Sequence, residues 1–304
     1  MSEARLRQAI ELLNKVWLAY REEIYADETD QIIWKSPRRL ILRSGCLEKT
    51  IKRRPGTTSP LTVLPNNLCR TPKDKTILLN FLQCNVAVRH MQCVIEWLLH
   101  DIAEKVEVAM FLLKEPPLIV TMEPDGSPSF SNFDYRHECW RVTLKSGEIF
   151  AVDLTGSQYG WTDPICPWNL CLQERCLHNE AFFVALKGHQ DFLPLVAAEK
   201  QLPGFALPRV DNYYVSVQQH FAIIMEQLLH DLPTENLLGG PENQRLISEH
   251  SVIGEVRRQA QIATLATDEI WNSFSWSSVW EEQCKNARRQ QSDILHHQAG
   301  KLSV

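Results

Sequence analysis

Between positions 137 and 154, apolar and polar residues alternate on both sides of Lys145-Ser146-Gly147. A period of two belongs to a strand, because successive side chains point to opposite faces, and the segment predicts a hairpin with strands at 138–144 and 148–154. The three-residue loop ends on Gly147, where the chain needs a left-handed backbone and glycine supplies it. That loop sets the register: Leu144 faces Glu148, Val142 faces Phe150 and Trp140 faces Val152. One face is then wholly apolar, with Trp140, Val142, Leu144, Phe150, Val152 and Leu154, and reads as core. The other carries His137, Cys139, Arg141, Thr143, Ile149, Ala151 and Asp153, and in an ordinary hairpin such a face is wet. His137 and Asp153 are diagonal neighbours roughly 7 Å apart, a gap that an imidazole and a carboxylate close. A two-residue loop would separate them and also mismatch the apolar set.

The remaining pattern is mostly helical. Leu6, Ile10, Leu13, Val16 and Trp17 recur at helical spacing and predict an amphipathic helix over 5–25. Residues 32–45 read as a short strand or turn, followed by a loop to about position 60. From Thr71-Pro72, a cap and first-turn pair, to Lys114 there is no Gly or Pro, which predicts one long helix or two abutting ones. Pro116-Pro117 stops it, 118–122 suits a strand, and 123–128 is a turn. From 179 onward the pattern is mainly helical, broken at Pro203-Gly204, Pro208 and Gly239-Gly240-Pro241. The expected class is α+β: a small antiparallel sheet with a cysteine-bearing central helix in residues 1–178, and a helical extension, 179–304, packed on it.

Composition narrows the setting. The chain has 304 residues, of which 44% are hydrophobic, enough for a substantial core, and its net charge of −5 gives no global drive toward nucleic acid or anionic membrane. The stretch 35–54 is locally basic and ends in Lys52-Arg53-Arg54, a patch that suits phosphates. No apolar run is long enough to span a bilayer, and the first residues lack a secretory pattern, so a cytoplasmic protein without membrane contact is expected. Nine cysteines, an odd number without a tight framework, fit reduced thiols.

A thiol nucleophile needs an imidazole to move its proton and a third group to orient that imidazole. The hairpin supplies His137 and Asp153, and the nucleophile is sought upstream. Cys93, after Gln92 and before an apolar run, is the favoured candidate, and Cys84 in Leu82-Gln83-Cys84-Asn85 is the alternative. In an unbroken helix both would lie mid-helix, without help from a helix terminus. Cys69 precedes the helix, and Cys139 shares the face of His137. Gln158 and Tyr159 follow the aspartate and are candidate substrate contacts, Gln158 through its amide. Cys166, Cys171, Cys176 and His178 lack the usual knuckle spacing, and no metal is expected there.

The order of a cysteine-bearing helix, a strand with His137, and a strand ending Ala151-Val152-Asp153-Leu154-Thr155-Gly156 resembles the transglutaminase-like and arylamine N-acetyltransferase group of the papain-like superfamily. The resemblance covers the middle third of the chain, and no Arg-Gly-Gly-x-Cys or Gly-Gln-Cys-Trp motif precedes it. It implies a Cys-His-Asp triad, acyl transfer or amide-bond chemistry on a small-molecule or acyl-donor substrate, and no cofactor. A second resemblance rests on His100-Asp101-Ile102-Ala103-Glu104, which is similar to the Asp-Asp-x-x-Glu motif of fungal arginine-containing cyclodipeptide synthases, enzymes of secondary metabolism, except at its first acidic position. It implies Asp101 and Glu104 in the site, with aminoacyl-tRNA held by 35–54. A third reading is an interaction protein that retains the hairpin without catalysis.

Overall fold

The computed structural model describes residues 2–25, 29–44, 64–124, 128–184, 217, 221, 225 and 242–273. The hairpin forms in the register that its loop dictates. Strands β6 (His137–Leu144) and β7 (Ile149–Val152) pair antiparallel with Trp140 opposite Val152 and Val142 opposite Phe150. Leu144 N–H donates to Glu148 O at 2.8 Å, and Gly147 takes φ of 87°. All six residues of the apolar face are buried in one cluster with Leu13, Val16 and Trp17 of α1 (Ser2–Glu23) and Val94, Ile95 and Leu98 of α4 (Gln92–Leu99). The opposite face is wet only in part: Arg141, Thr143 and Ile149 are half-buried, while its His137 and Asp153 end is covered. A 3-10 turn, Gly156–Tyr159, and α5 (Trp168–Arg175) lie over it, and Cys139 and Ala151 are buried there with Phe111, Tyr159, Trp168 and Cys171.

The fold is α+β, and among the described residues it holds two sheets. The larger runs β8-β7-β6-β3-β9, where β8 is Ile165–Pro167, β3 is Ala103–Phe111 and β9 is Phe182–Val184. The smaller joins β1 (Gln31–Ser36), β2 (Arg39–Ser44), β4 (Ile119–Pro124) and β5 (Phe130–Ser131). Its β2–β4 pair is parallel, whereas every pairing in the hairpin's sheet is antiparallel, as expected.

The predicted helix over 71–114 is three short helices and a strand. α2 (Pro72–Asn80) begins where the Thr71-Pro72 pair indicates, with a capping box between Thr71 and Asp74. α3 (Cys84–His90) follows a break at Leu82, whose φ of 54° no helix accommodates, and α4 starts after Met91. β3 then runs inside the larger sheet, between β6 and β9. Val106, Val108 and Met110 pack toward the apolar cluster, while Ala109 and Phe111 pack into the other one. Its Glu, Lys and Ala suit a helix, but partners on both sides, β6 and β9, override that propensity.

Past position 178 the first described element is strand β9, where helix was expected. α6 (Glu242–Ser273) lies along α1, placing Val252, Val256, Ala260 and Ala263 in the same apolar cluster, and Arg257 bonds Glu22 at 2.9 Å. Of the basic stretch, Arg43 is paired with Glu123 at 2.8 Å, whereas Lys52, Arg53 and Arg54 lie outside the described residues. No described helix is long and apolar enough to cross a membrane.

Candidate active site

His137 opens β6, and Asp153 follows directly on β7. Since Trp140 pairs with Val152, the register sets Cys139 level with Asp153 and His137 one diagonal away, and the side chains close that gap: His137 Nε2 and Asp153 Oδ2 are 2.8 Å apart. Both residues are buried. The carboxylate is fixed from several sides. Thr155 donates to Oδ1 from its backbone N–H at 3.0 Å and from its hydroxyl at 3.2 Å, and Arg175 Nη1 stands 3.7 Å from Oδ2. Arg175 itself stacks on Trp161 at 4.3 Å. Gly156 is needed for close approach, because a Cβ there would sit 3.0 Å from Asp153 Oδ2.

Burial disfavours charge on both partners, and their mutual attraction overrides it. For His137, burial acts downward, but Asp153 and then the Cys84 thiol push its pKa up to about 10. For Asp153, burial acts upward, but His137, Arg175 and the Thr155 amide hold its carboxyl below the usual range. That attraction favours the imidazolium and carboxylate forms of the pair over the neutral ones. With Nε2 turned to Asp153, Nδ1 is the atom left for chemistry, and it is buried with no hydrogen-bond partner.

The thiol beside this imidazole is Cys84, not the favoured Cys93. Cys84 is the first residue of α3, its Sγ lies 3.9 Å from Arg136 O next to His137, and it retains 9% exposure, so it is the member of the trio nearest to solvent. Cys93 is half-buried and packs against the cluster that holds Trp140 and Val142, under the opposite face of β6. The break at Leu82 makes the difference, because it places Cys84 at a helix start rather than mid-helix. A non-glycine residue at that φ costs about 1–2 kcal/mol, and the turn is held by Gln158, whose Oε1 accepts from Leu82 N–H at 2.8 Å.

Gln158 and Tyr159 reach the site together. Tyr159 packs edge-on against the His137 ring at 4.8 Å, its hydroxyl donates to Asn132 O at 3.5 Å, and burial pushes its phenol up. Phe111 and Trp161 complete the wall around the imidazole at 5.4 and 5.9 Å. Arg175, Trp161, Thr155 and Asn132 were not singled out from the sequence. Only the Asp153-x-Thr155 spacing, which suits a local side-chain turn, carries a signal.

Of the remaining candidates, the acidic pair and Cys69 lie elsewhere. Asp101 and Glu104 are not one helix face: Asp101 is exposed in the turn after α4, bonded to His100 at 3.1 Å, and Glu104 is exposed on β3. Cys139, Cys171 and Cys176 are buried together in the cluster that covers the His137 face, where contact with Cys171 and burial raise the thiols of Cys139 and Cys176. Cys69 packs beside the smaller sheet's core. Among the described residues no group of three or more His, Cys, Asp and Glu is arranged to hold a metal ion. A cavity of about 490 Å³ lined by Arg141, Trp168, Leu172, Phe182 and Phe183 includes none of Cys84, His137 and Asp153.

No family model, curated protein or solved structure matches the chain.

Proposed function

We propose that the chain is a thiol-dependent enzyme of acyl transfer or amide-bond formation and cleavage, with Cys84 as nucleophile, His137 as proton carrier and Asp153 as the group that orients it. The observation that carries this reading is His137 itself: one ring nitrogen is bound to Asp153 at 2.8 Å and the other is unpartnered beside a thiol. A thiol nucleophile needs an imidazole within reach to take up its proton, and Nδ1 is the ring nitrogen left for that task. In the reaction the Cys84 sulfur attacks a carbonyl carbon and Nδ1 of His137 gives its proton to the leaving group. It then takes a proton from the acceptor, water or an amine, that releases the acyl group from sulfur. Asp153 stays ionised throughout and holds the tautomer. The seven described cysteines are free thiols, which accords with a reducing compartment such as the cytoplasm.

The test is competitive labelling of the reduced protein with iodoacetamide at neutral pH, followed by peptide mass mapping. Cys84 is expected to react at least about 10-fold faster than the other cysteines, and His137→Ala to abolish the difference. Uniformly slow labelling, or Cys93 labelled first, would sink the proposal.

A second reading, an interaction protein that keeps the hairpin without catalysis, is favoured by the complete burial of His137. It predicts uniformly slow labelling in the same experiment.

A further inference from the structure

The cavity of about 490 Å³ beside the larger sheet falls within the range of small-molecule sites, roughly 300–1,000 Å³. Its walls are aromatic: Trp168 comes from α5, and Phe182 and Phe183 come from β9, where they keep 60% and 48% exposure. One cation stands among these rings. Arg141, on β6, bonds Glu107 Oε2 through Nη1 at 2.8 Å, while Lys105 bonds the other oxygen of that carboxylate at 2.7 Å. Two cations on one carboxylate leave a positive charge uncompensated. The guanidinium lies over Trp168 at 5.7 Å and over Phe183 at 5.3 Å, so its plane is fixed. Its Nε–H has no hydrogen-bond partner, and Glu107 is the one carboxylate paired with the group among the described residues. Nε and Nη2 form the side-on fork of a guanidinium, the edge that takes both oxygens of a carboxylate. In Arg141 that edge is unused, and the side chain keeps 23% exposure where it lines the cavity.

We infer that this cavity binds a small aromatic monocarboxylate, with its ring against Trp168, Phe182 and Phe183 and its two oxygens on Nε and Nη2 of Arg141. The site stands apart from the thiol reading: His137 shares this face of β6 but lies four residues away, about 13 Å along the strand, and does not line the cavity. The walls and the charges select the ligand class. A flat ring suits three aromatic side chains. A cation is opposed, because guanidinium groups already lie over all three rings, Arg141 on Trp168 and Phe183 and Arg136 on Phe182 at 5.8 Å. A ligand without an acceptor would leave the Nε–H unsatisfied, a cost that a carboxylate removes. A dianion is opposed by Glu180, an exposed residue that also lines the cavity.

The test is calorimetric titration of the full chain with 2-naphthoate, 2-naphthamide and 2-naphthyl phosphate, which share a ring system and differ in charge. The carboxylate is expected to bind at one site per chain, at least about 10-fold more tightly than the amide, which lacks the charge-assisted hydrogen bonds, and more tightly than the phosphate. Arg141→Lys keeps the charge and removes the fork, so it should weaken 2-naphthoate at least about 10-fold and leave the amide's affinity unchanged. Phe182→Ala trims an exposed wall and should weaken carboxylate and amide alike, by about 2–10-fold. Absence of saturable 2-naphthoate binding, equal affinity for the amide, or undiminished affinity in Arg141→Lys overturns the inference, and tighter binding of the phosphate overturns the choice of a monocarboxylate. Should Arg141→Lys unfold, the three ligands on wild-type protein and Phe182→Ala decide: an amide that matches the carboxylate, or a Phe182→Ala variant that binds as wild type does, overturns the site.

Discussion

The apolar face of the β6–β7 hairpin is buried throughout, whereas its other face is buried only at the end that holds His137, Cys139, Ala151 and Asp153, and the two are built differently. One face, centred on Trp140, Val142 and Val152, meets helices and needs only complementary volume, apart from the Trp140 Nε1–H bond to Gln92 Oε1 at 2.8 Å. The other meets a 3-10 turn and a short helix, and its key residues must satisfy charge and direction: a 2.8 Å ion pair, an Asp held by Thr155, an Arg stacked on Trp161. Alternation along a strand sorts side chains into two sets, but what covers each set decides whether it is solvent-facing, core or site.

Breaking the apolar face costs fold. Trp140→Ala is expected to destabilise the chain by about 3–5 kcal/mol, read by denaturant unfolding, with loss of Cys84 reactivity only in proportion to the unfolded fraction. Breaking the polar face costs chemistry. Asp153→Asn is expected to slow Cys84 alkylation at least about 100-fold, measured on protein that circular dichroism shows to be folded.

The same pair sets a pH window. Because Asp153 raises the His137 pKa in the folded state, its stabilisation is complete below the ordinary imidazole value and fades as the pH rises through about 10. The Asp153 side is complete above the ordinary carboxyl value and is lost as the pH falls through the lowered one. A melting-temperature profile should therefore fall at both ends, and the alkaline fall should flatten in His137→Ala. An unchanged alkaline limb would show that the imidazole is not held charged.

Two glycines sharpen the contrast at smaller scale. Gly156→Ala drives a methyl group toward Asp153 Oδ2, so both stability and Cys84 reactivity should drop. Gly147→Ala meets nothing within 4 Å but is strained at φ of 87°, so stability should fall by about 1–2 kcal/mol with reactivity intact. Smallest of all, Cys93→Ser should leave the labelling rate of Cys84 unchanged, since Cys93 lies beneath the other face. A large change would return Cys93 to candidacy.

The hairpin was legible because everything that specifies it is local: Gly147, the alternation and the loop length. The proposed place of Cys84 was not, because what sets Cys84 beside His137 at a helix start is a left-handed Leu82, and neither Gly nor Pro marks the break. Its support comes from Gln158, 76 positions away. β3 was missed for a related reason. Its Val106, Val108, Met110 alternation was present, but the surrounding Glu, Lys and Ala read as helix until neighbours on both sides are known. The burial of the second face was equally invisible, since α5 reaches it only through the fold.

Asn80 takes these long connections one step further. It accepts from Trp17 Nε1 at 2.7 Å, and its Nδ2 donates to Leu154 O at 3.2 Å and Ser157 Oγ at 2.8 Å, contacts that span 63, 74 and 77 positions. Contacts of such sequence separation close late, after hairpins and helix turns have formed. In a refolding time course, Cys84 should therefore gain its reactivity only in the final phase, after the hairpin signal has appeared. A chain still emerging or half-folded would carry the histidine and the aspartate already paired, but no armed thiol.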